Sequence, residues 1–591
     1  MKKIITILLA FLIGNFSFTY GAPINHYRIP SQFDNSPIES IYVHQNSSFL
    51  FSGEQLLYKI YCLNSNTNNL SRLSKIAYVE LISSQKKMIF RHKIKLTKGL
   101  GQGEFIIPKS ISSGAYKLVA YTQSMKNFGH ELFFKSDLTL INPYNSKKTT
   151  SNNNYQGGKT HNILQNEPLK IIKKEPSSLQ NSKIQLTTNA STFKNREKVV
   201  LKLQSLENNY FGNYSLSVRK VDSIQGPKRR AFDSFKPINP SAILNLKTEK
   251  SKYIPELRGE LISGKITHKN SKLPAVNINI AISIPGSHPI LKIVTTNQLG
   301  VFNFNIDKDY DSNTAIIQVL SDDSEKFSIH INKPLPINYE HISFYDFKIS
   351  PEIKDYILKR HIYNQIENVY ASFRPNHIKK IDSIHSFLNS ETLIYNLDDY
   401  KRFSTLKETV VEIIPEIFTT TKNKKSYFHI KFNNQLNESS LLPIIIVDGI
   451  LIQNHNNLID FNSKTIKRIL INRKNYIYNT QIFEGIISIE TIDGDYGMKN
   501  SFSGIGKKIT LFKPLAITNY HNQSYDGSNK YDRIPDYRSQ LLWEPNFVLN
   551  KKEQTITFFT SDNYGDYEIC LEGFTNEGYP VSLRKTIKIE K

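Results

Sequence analysis

Cysteine is scarce in this chain, which has only Cys62 and Cys570 among 591 residues. Two cysteines near opposite ends cannot form a disulfide framework, so the domains must rest on hydrophobic cores. Each cysteine lies in an apolar, strand-like run, which is typical of a buried thiol. The sequence leaves a single long-range bridge between them open.

Recognisable catalytic motifs are also missing. The sequence has no Gly-x-Ser-x-Gly elbow, no His-Glu-x-x-His pair and no phosphate-binding loop. The stretch "GLGQGEF" at 99–105 has spaced glycines but no following helix, so it predicts a hairpin turn. The 15 histidines are dispersed. We therefore expect no enzymatic activity, no catalytic or cofactor-binding residue, no metal ligand and no cofactor.

Long apolar runs are confined to the N-terminus. The segment "MKKIITILLAFLIGNFSFTYGAP" combines two lysines, an apolar stretch and small residues near Gly21 and Ala22, and predicts a secretory signal peptide. No later stretch approaches the roughly 20 apolar residues of a membrane-spanning helix. We expect an exported chain that is soluble or peripherally bound once the signal is removed.

Positive charge is in excess, with a net charge of +24. The lysines are scattered among asparagines and isoleucines, and no compact Arg-rich or aromatic-interleaved patch occurs. This pattern argues against nucleic-acid binding and allows weak attraction to anionic membrane or glycan surfaces.

Short alternating apolar runs separated by turn residues fill most of the chain. "SKIAYVELIS" and "GAYKLVAYTQ" are examples, and their spacing is typical of β-sandwiches. Near Ser350 the period changes to that of an amphipathic helix. Its predicted apolar stripe contains Ile353, Tyr356, Ile357, Ile362, Ile366 and Val369. The fold class is therefore predicted to be mainly β, with tandem β-sandwich domains and a short helical segment.

The tetrad Ser52-Gly53-Glu54-Gln55 differs at its first residue from the Cys-Gly-Glu-Gln of an internal thioester. That chemistry needs a thiolate to attack the glutamine side chain three residues on. Ser52 supplies a hydroxyl, and Cys62 lies about 23 Å beyond Gln55 in a strand that rises ~3.3 Å per residue. The sequence thus excludes a thioester and predicts a turn, then a strand from Glu54. One face of that strand is predicted to be apolar (Leu56, Tyr58, Ile60, Cys62) and the other to carry Gln55, Lys59 and Tyr61.

Three aspartates at alternate positions, Asp307, Asp309 and Asp311, resemble the opening of a calcium loop. Such a loop requires glycine at its sixth position and glutamate at its twelfth. Those positions hold Ser312 and Gln318, so a solvated turn is favoured over a calcium site.

The stretch "FLFSGEQLLYKIYCLN", followed by "SKIAYVELIS" and "SGAYKLVAYTQ", resembles the second macroglobulin-type domain of the alpha-2-macroglobulin superfamily. In that superfamily a Gly-Glu turn opens a strand. "FKNREKVVLKLQS" is similar to a following macroglobulin-type domain. "LLWEPNFVL" with "ITFFTSDNYGDYEICLEG" is similar to a β-segment of the same superfamily.

Two further resemblances lie between these segments. "ELISGKI", "LPAVNINIAI" and "TTNQLGVFNFNI" are similar to the carboxypeptidase-regulatory-like β-sandwich, with Asn297 in place of its usual aspartate. "LPIIIVDGILI", "IKRILI" and "EGIISIET" resemble the plug domain of TonB-dependent outer-membrane transporters, with Tyr478-Asn479 in place of its Tyr-Gly turn. Fewer than about 100 residues follow this segment, whereas a transporter barrel needs well over 400 at roughly ten per strand, so we expect no import through this chain alone.

The residue patterns and the resemblances together predict the following organisation: a signal peptide at 1–21, a macroglobulin-type sandwich at 38–143, a flexible linker at 144–182, a second macroglobulin-like β-unit at 183–258, a carboxypeptidase-regulatory-like sandwich at 259–335, a helical segment at 350–392, a small α+β domain that resembles a plug at 393–497 and a C-terminal β-domain at 501–591.

The function implied is that of a non-enzymatic, exported scaffold or binding protein of the periplasm, outer membrane or cell surface. It would engage a protein partner, such as an outer-membrane β-barrel transporter, through its β-sandwich and plug-like modules. Two alternatives stay open. One is a macroglobulin-like protease inhibitor without a thioester, with 145–182 as its exposed bait. The other is an accessory protein in TonB-dependent uptake.

Overall fold

The structure is a computed structural model that describes residues 38–144, 183–224, 227, 253–334, 336–380, 391–431, 441–478, 481–499, 506–526, 531 and 533–591. The predicted signal peptide and nearly all of the predicted linker lie outside these residues. Within them the chain is mainly β, arranged in sandwiches with one small α+β unit, which confirms the predicted fold class. No helix of the described residues is long and apolar enough to cross a membrane.

The first sandwich pairs a three-stranded sheet, in the order β1-β3-β6, with a five-stranded sheet, in the order β2-β8-β7-β4-β5. Its strands are β1 Glu39–Gln45, β2 Phe49–Phe51, β3 Gln55–Asn64, β4 Ile76–Ser83, β5 Met88–Lys95, β6 Leu100–Ile106, β7 Gly114–Tyr121 and β8 Phe134–Ile141. Alternate residues of both sheets point inward and form one hydrophobic core between them.

The second sandwich, called the composite sandwich below, is built from two segments that are far apart in the chain. Strand β12 lies between β31 and β33 in one sheet, and β11 lies between β9 and β32 in the other. Its strands are β9 Ile184–Thr188, β10 Thr192–Phe193, β11 Lys198–Ser205, β12 Gly212–Lys220, β31 Gln540–Leu549, β32 Glu553–Phe559, β33 Gly565–Thr575 and β34 Pro580–Ile589.

This pairing corrects the prediction of separate β-domains at 183–258 and 501–591. Leu216 of β12 is opposite Leu571 of β33, and both belong to a single core with Leu201 and Phe558. Neither segment has enough strands to cover its own apolar face, so each completes the other. Alternation shows which residues of a strand are buried but not which strand lies beside it.

The third sandwich also takes a strand from the segment predicted to be a C-terminal domain. Its sheets have the orders β16-β13-β18 and β15-β14-β17-β29. Its strands are β13 Glu260–His268, β14 Asn279–Ile284, β15 Ile290–Thr295, β16 Val301–Ile306, β17 Thr314–Val319, β18 Phe327–Ile331 and β29 Gly506–Thr510. Two short strands, β19 His377–Ile378 and β30 Thr518–Asn519, pair with each other in a separate two-stranded sheet.

The predicted helix is present as α1, Lys354–Val369, but its apolar stripe is only partly buried. Ile353, just before the helix, is buried with Phe49 and Phe51 of β2. Ile362 and Val369 are 46% and 74% exposed, so this part of the predicted apolar stripe does not pack against the protein. A different face of the helix, which includes the buried side chain of Arg360, packs against the protein.

The α+β unit contains a five-stranded sheet in the order β20-β25-β28-β23-β24. Helix α2 begins with a capping box, in which Thr405 and Glu408 each accept a hydrogen bond from the other's backbone N–H. Its elements are β20 Leu393–Asn396, α2 Leu406–Ile413, β21 Ile417–Lys422, β22 Lys425–Ile430, β23 Ile444–Val447, β24 Ile450–Ile452, α3 Asn456–Ile459, β25 Ile466–Asn472, β26 Tyr476–Tyr478, β27 Gln481–Phe483, β28 Ile486–Thr491 and α4 Tyr496–Lys499. The likeness to a plug domain stays a prediction, and Asn479 of the predicted turn lies outside the described residues.

Both faces of β3 are buried, including the face that carries Lys59 and Tyr61. The composite sandwich lies against the second face. There Lys59 Nζ donates to Asn546 Oδ1 at 2.7 Å, and the Tyr61 hydroxyl donates to Ser215 Oγ at 3.0 Å. Burial lowers the pKa of Lys59 to about 7. This interface is therefore polar, and each buried polar group in it needs a partner across it.

Neither Cys62 nor Cys570 is part of a disulfide, and both are buried. The bridge that the sequence left open is not formed.

The composite sandwich makes a testable prediction about strand neighbours. Lys202 of β11 is directly opposite Thr555 of β32, and opposed residues of antiparallel strands have Cα atoms about 4.5–5.5 Å apart, within disulfide range. The double variant Lys202→Cys/Thr555→Cys should therefore form an intramolecular disulfide on mild oxidation, visible as a mobility change on a non-reducing gel.

Lys202→Cys/Lys588→Cys is the control, because Lys588 lies in β34, in the other sheet of the sandwich. Packed sheets are about 10 Å apart, too far for a disulfide. Equal cross-linking of both variants, or none in the first, would contradict the composite sandwich.

Candidate functional site

The tetrad Ser52-Gly53-Glu54-Gln55 forms the turn between β2 and β3, and the strand begins at Gln55, one residue later than predicted. Gly53 has a φ of +90°, a conformation that favours glycine. A Cβ at Gly53 would lie 2.7 Å from Asn368 Nδ2 of helix α1. Asn364 Nδ2 donates to the Ser52 carbonyl at 2.7 Å. The glycine is thus required twice, by the turn and by the helix packed against it.

Glu54 is the centre of a buried ion-pair network. Arg360 of α1 contacts both carboxylate oxygens, Nε to Oε1 at 2.7 Å and Nη2 to Oε2 at 2.8 Å. Arg219 of β12 contacts Oε2 at 3.1 Å, and Arg360 also pairs with Asp222. Burial alone would raise the pKa of Glu54, but the charges of Arg360 and Arg219 outweigh it and hold that pKa below its usual value. The carboxylate therefore joins three parts of the chain.

A second network attaches the other end of α1 to the segment that leads into β31. Arg374 Nη1 contacts Glu367 Oε2 at 2.7 Å, and the Tyr537 backbone N–H donates to Glu367 Oε1 at 2.6 Å. Arg538 contacts Asp536 at 2.7 Å. Burial would raise the pKa of Asp536, but Arg538 and Arg374 lower it to about 2. The carboxylate of Asp536 therefore stays charged inside the protein.

The two networks flank a cleft of about 420 Å³ between the first sandwich, helix α1 and the segments that lead into β31. Its volume lies within the usual range for ligand pockets. Four guanidinium groups line it, against the two carboxylates of Glu54 and Glu367; they belong to Arg219, Arg360, Arg374 and Arg538. The rest of the lining is rich in amide side chains and includes Trp543, the only tryptophan of the chain.

The chemistry of this lining suits a polar, acidic ligand. Guanidinium groups bind carboxylates with directional, charge-assisted hydrogen bonds, and Trp543 adds an apolar surface. Both glutamates are engaged with arginines. Burial lowers the pKa of His521, so this imidazole is neutral at pH 7.

The sequence did not identify this site. Glu54 and Arg360 are 306 residues apart, and no local spacing reports such a contact. One signal was present: Ile353, Ile357, Arg360, Asn364 and Glu367 recur at intervals of four and three residues, as one face of a helix does.

The structure does not bring the three aspartates together at one site. Asp307 pairs with Lys292 at 2.5 Å, and Asp309 pairs with Lys95 at 2.6 Å. Asp311 accepts a hydrogen bond from the Ser287 backbone N–H at 3.3 Å.

The glycine-rich stretch "GLGQGEF" begins at a tight turn, in which Thr97 and Leu100 exchange backbone hydrogen bonds. The turn is as predicted, but the hairpin is not. Strands β5 and β6 belong to different sheets, so the turn carries the chain across the sandwich. The proposed bait at 145–182 lies outside the described residues.

Comparisons with known proteins identify no family. No family model and no curated protein matches the chain. Similar solved structures include Escherichia coli alpha-2-macroglobulin activated by porcine elastase, with 7% identity and a TM-score of 0.22 over 93% of this chain and 44% of that one. Salmonella alpha-2-macroglobulin reacted with methylamine has 8% identity and a TM-score of 0.15 over 93% of this chain and 23% of that one. Latent PorU from Porphyromonas gingivalis has 10% identity and a TM-score of 0.16 over 50% and 33%. This chain thus spans less than half the length of these alpha-2-macroglobulins.

The Glu54 network makes a prediction about stability. Glu54→Gln should lower the free energy of unfolding by roughly 3–5 kcal/mol at pH 7, because two guanidinium groups stay buried without their shared carboxylate. Since the pKa of Glu54 is depressed in the folded state, its stabilisation is full above about pH 4.5, the ordinary value, and is lost as pH falls through the lower folded pKa. The difference between wild type and variant, measured by urea unfolding, should therefore shrink at acid pH.

Glu553→Gln is the matched control, because Glu553 pairs with Lys202 at the surface, where both side chains are about half exposed. Such pairs contribute about 1 kcal/mol or less. Equal effects of the two substitutions at pH 7 would show that the Glu54 network is not important for stability.

Proposed function

We propose that this protein is a non-enzymatic, exported binding scaffold of the periplasm or outer membrane, and that the cleft beside Glu54 binds an acidic segment of a partner protein. The observation that carries the proposal is the cleft lining, in which four arginines face two glutamates among amide and aromatic side chains.

The cleft is suited to binding because its walls are already ordered. Buried ion pairs connect the tetrad turn, helix α1, strand β12 and the segment before β31. Side chains held in this way lose little conformational freedom when a ligand binds, so more of the contact energy appears as affinity.

The arginines of the lining favour an acidic partner. Contacts within the protein already use all five N–H donors of Arg360 and most of those of Arg374 and Arg538, so it is mainly their positive charge that acts on a ligand. A partner segment with aspartate or glutamate side chains would be attracted to these charges, whereas a basic segment would meet like charge. Trp543 and Tyr537 offer the aromatic surface on which binding energy commonly concentrates.

Site-specific photo-crosslinking in the producing cell tests this proposal. Ile106 lines the cleft, and its side chain is 65% exposed. Leu299 in the third sandwich and Val411 in the α+β unit are equally exposed but lie away from the cleft lining. A photo-reactive amino acid would replace each residue in turn, and captured proteins would be identified by mass spectrometry. We expect capture at Ile106 to exceed capture at Leu299 several-fold, and the captured peptide to be rich in aspartate and glutamate.

The equal exposure of the three positions makes each outcome informative. Equal capture at all of them, or none at Ile106, would refute binding in the cleft. Capture of an outer-membrane barrel at Val411 alone would instead support the plug-like unit as the docking module. A weaker Ile106 adduct at high salt would agree with a charged contact, which salt screens.

A further inference from the structure

Three side chains able to bind a metal meet where the first sandwich contacts the composite sandwich. His44 lies in β1, and Cys570 and Glu572 lie two residues apart in β33, so that they share one face of that strand. All three residues are at most 2% exposed. One donor atom from each, the histidine nitrogen, the cysteine sulfur and a carboxylate oxygen, lies within 4.8 Å of the others.

The distances between donors suit a tetrahedral ion. His44 Nε2 is 3.8 Å from Glu572 Oε2, and Cys570 Sγ is 3.6 Å from Glu572 Oε1. With bonds of about 2.0–2.1 Å to nitrogen or oxygen and about 2.3 Å to sulfur, a tetrahedral zinc site has edges of about 3.4–3.6 Å. The two distances are within a few tenths of an ångström of these edges, and the donor atoms, one from each residue, lie no more than 4.8 Å apart.

The hydrogen bonds of Ser215 orient the imidazole correctly for this role. The Ser215 oxygen is 3.2 Å from the Glu572 carbonyl oxygen and 2.5 Å from His44 Nδ1. In the tautomer in which Ser215 donates to the carbonyl and accepts from Nδ1–H, the lone pair of Nε2 faces the Glu572 carboxylate. Ligating histidines typically donate their second ring N–H in this way. Two electron-rich atoms that face each other in a buried site are stabilised by a cation between them.

The surrounding charges are compatible with a dication. Arg584 Nη2 is 3.6 Å from Glu572 Oε1, and the Tyr42 hydroxyl donates to Oε2 at 2.7 Å. Glu568 is on the far side of Arg584, 3.7 Å from its Nη1. Deprotonation of Cys570 on binding would release one proton and add a second negative charge beside Glu572. Two anionic ligands and one imidazole are a donor set that zinc accepts.

We propose that His44, Cys570 and Glu572 bind a zinc-type transition-metal ion that fastens the first sandwich to the composite sandwich. The ion is structural, because its ligands are buried and come from strands more than 500 residues apart in the chain. This site does not depend on the function proposed for the cleft.

The single tryptophan provides a probe of this site. The ring of Trp543 lies 5.2 Å, centre to centre, from the ring of His44. Protein prepared with a chelator and a reductant would be unfolded, refolded with Co²⁺ and freed of excess metal, since a buried site exchanges slowly. We expect one cobalt per chain, a sulfur-to-cobalt charge-transfer band in the near ultraviolet and quenched Trp543 fluorescence. Refolding with Zn²⁺ in excess over Co²⁺ should give protein that lacks both the band and bound cobalt.

Cys570→Ser should abolish the band and weaken metal binding at least about tenfold. Cys62→Ser is the matched control, because Cys62 is an equally buried strand thiol, and it should leave both signals unchanged. If Cys570→Ser does not refold, X-ray absorption of the cobalt-loaded wild type still decides, since one sulfur ligand at about 2.3 Å is required. Refolded wild type without bound cobalt, a coordination shell without sulfur, or a band that depends on Cys62 would overturn the proposal.

Discussion

The arrangement of the described chain depends on the ion pairs that the Glu54 carboxylate makes with Arg360 and Arg219. A buried charge without a partner costs several kcal/mol. Each of these three side chains belongs to a different part of the fold: the first sandwich, helix α1 and the composite sandwich. None of the three parts can bury its own charged group favourably alone. The sandwiches and the helix therefore specify one mutual orientation, which contacts between apolar faces would leave less well defined.

The path of the chain places a second constraint on the same region. Strand β12 has its two hydrogen-bonded neighbours only when β31 and β33, more than 300 residues later in the chain, have joined its sheet. The third sandwich and the α+β unit lie between these segments in the sequence. Such non-local pairing closes large loops and is slow to form. The same pairing brings the composite sandwich next to the first sandwich and helix α1. The cleft is the space between these three parts.

The interface between the first and composite sandwiches is polar on both sides, which sets it apart from the cores. Lys59, Tyr61 and His44 of the first sandwich all meet polar atoms of the composite sandwich. Polar interfaces are selective because a misplaced partner leaves buried groups unsatisfied. The proposed metal site lies in this interface, where an ion would satisfy several groups at once. The cleft lining and the interface are thus polar for the same reason: charged and hydrogen-bonding residues join the sandwiches.

Local patterns in the sequence determined the secondary structure and the fold class. Alternation located the strands, the change of period near Ser350 located helix α1, and the tetrad was placed correctly at a turn before β3. Each of these follows from residues a few positions apart, whose side chains share a face by backbone geometry alone.

The tertiary structure alone decided which strands are neighbours, which helix face is buried and where a site could form. Ile362 and Val369 are exposed, while Arg360 is buried, because the surface that meets the helix carries Glu54 and Asp222. A hydropathy pattern predicts burial from the polarity of each side chain. The burial of an arginine depends instead on a carboxylate partner, which can come from any part of the chain. For this protein that carboxylate comes from the tetrad turn, 306 residues away.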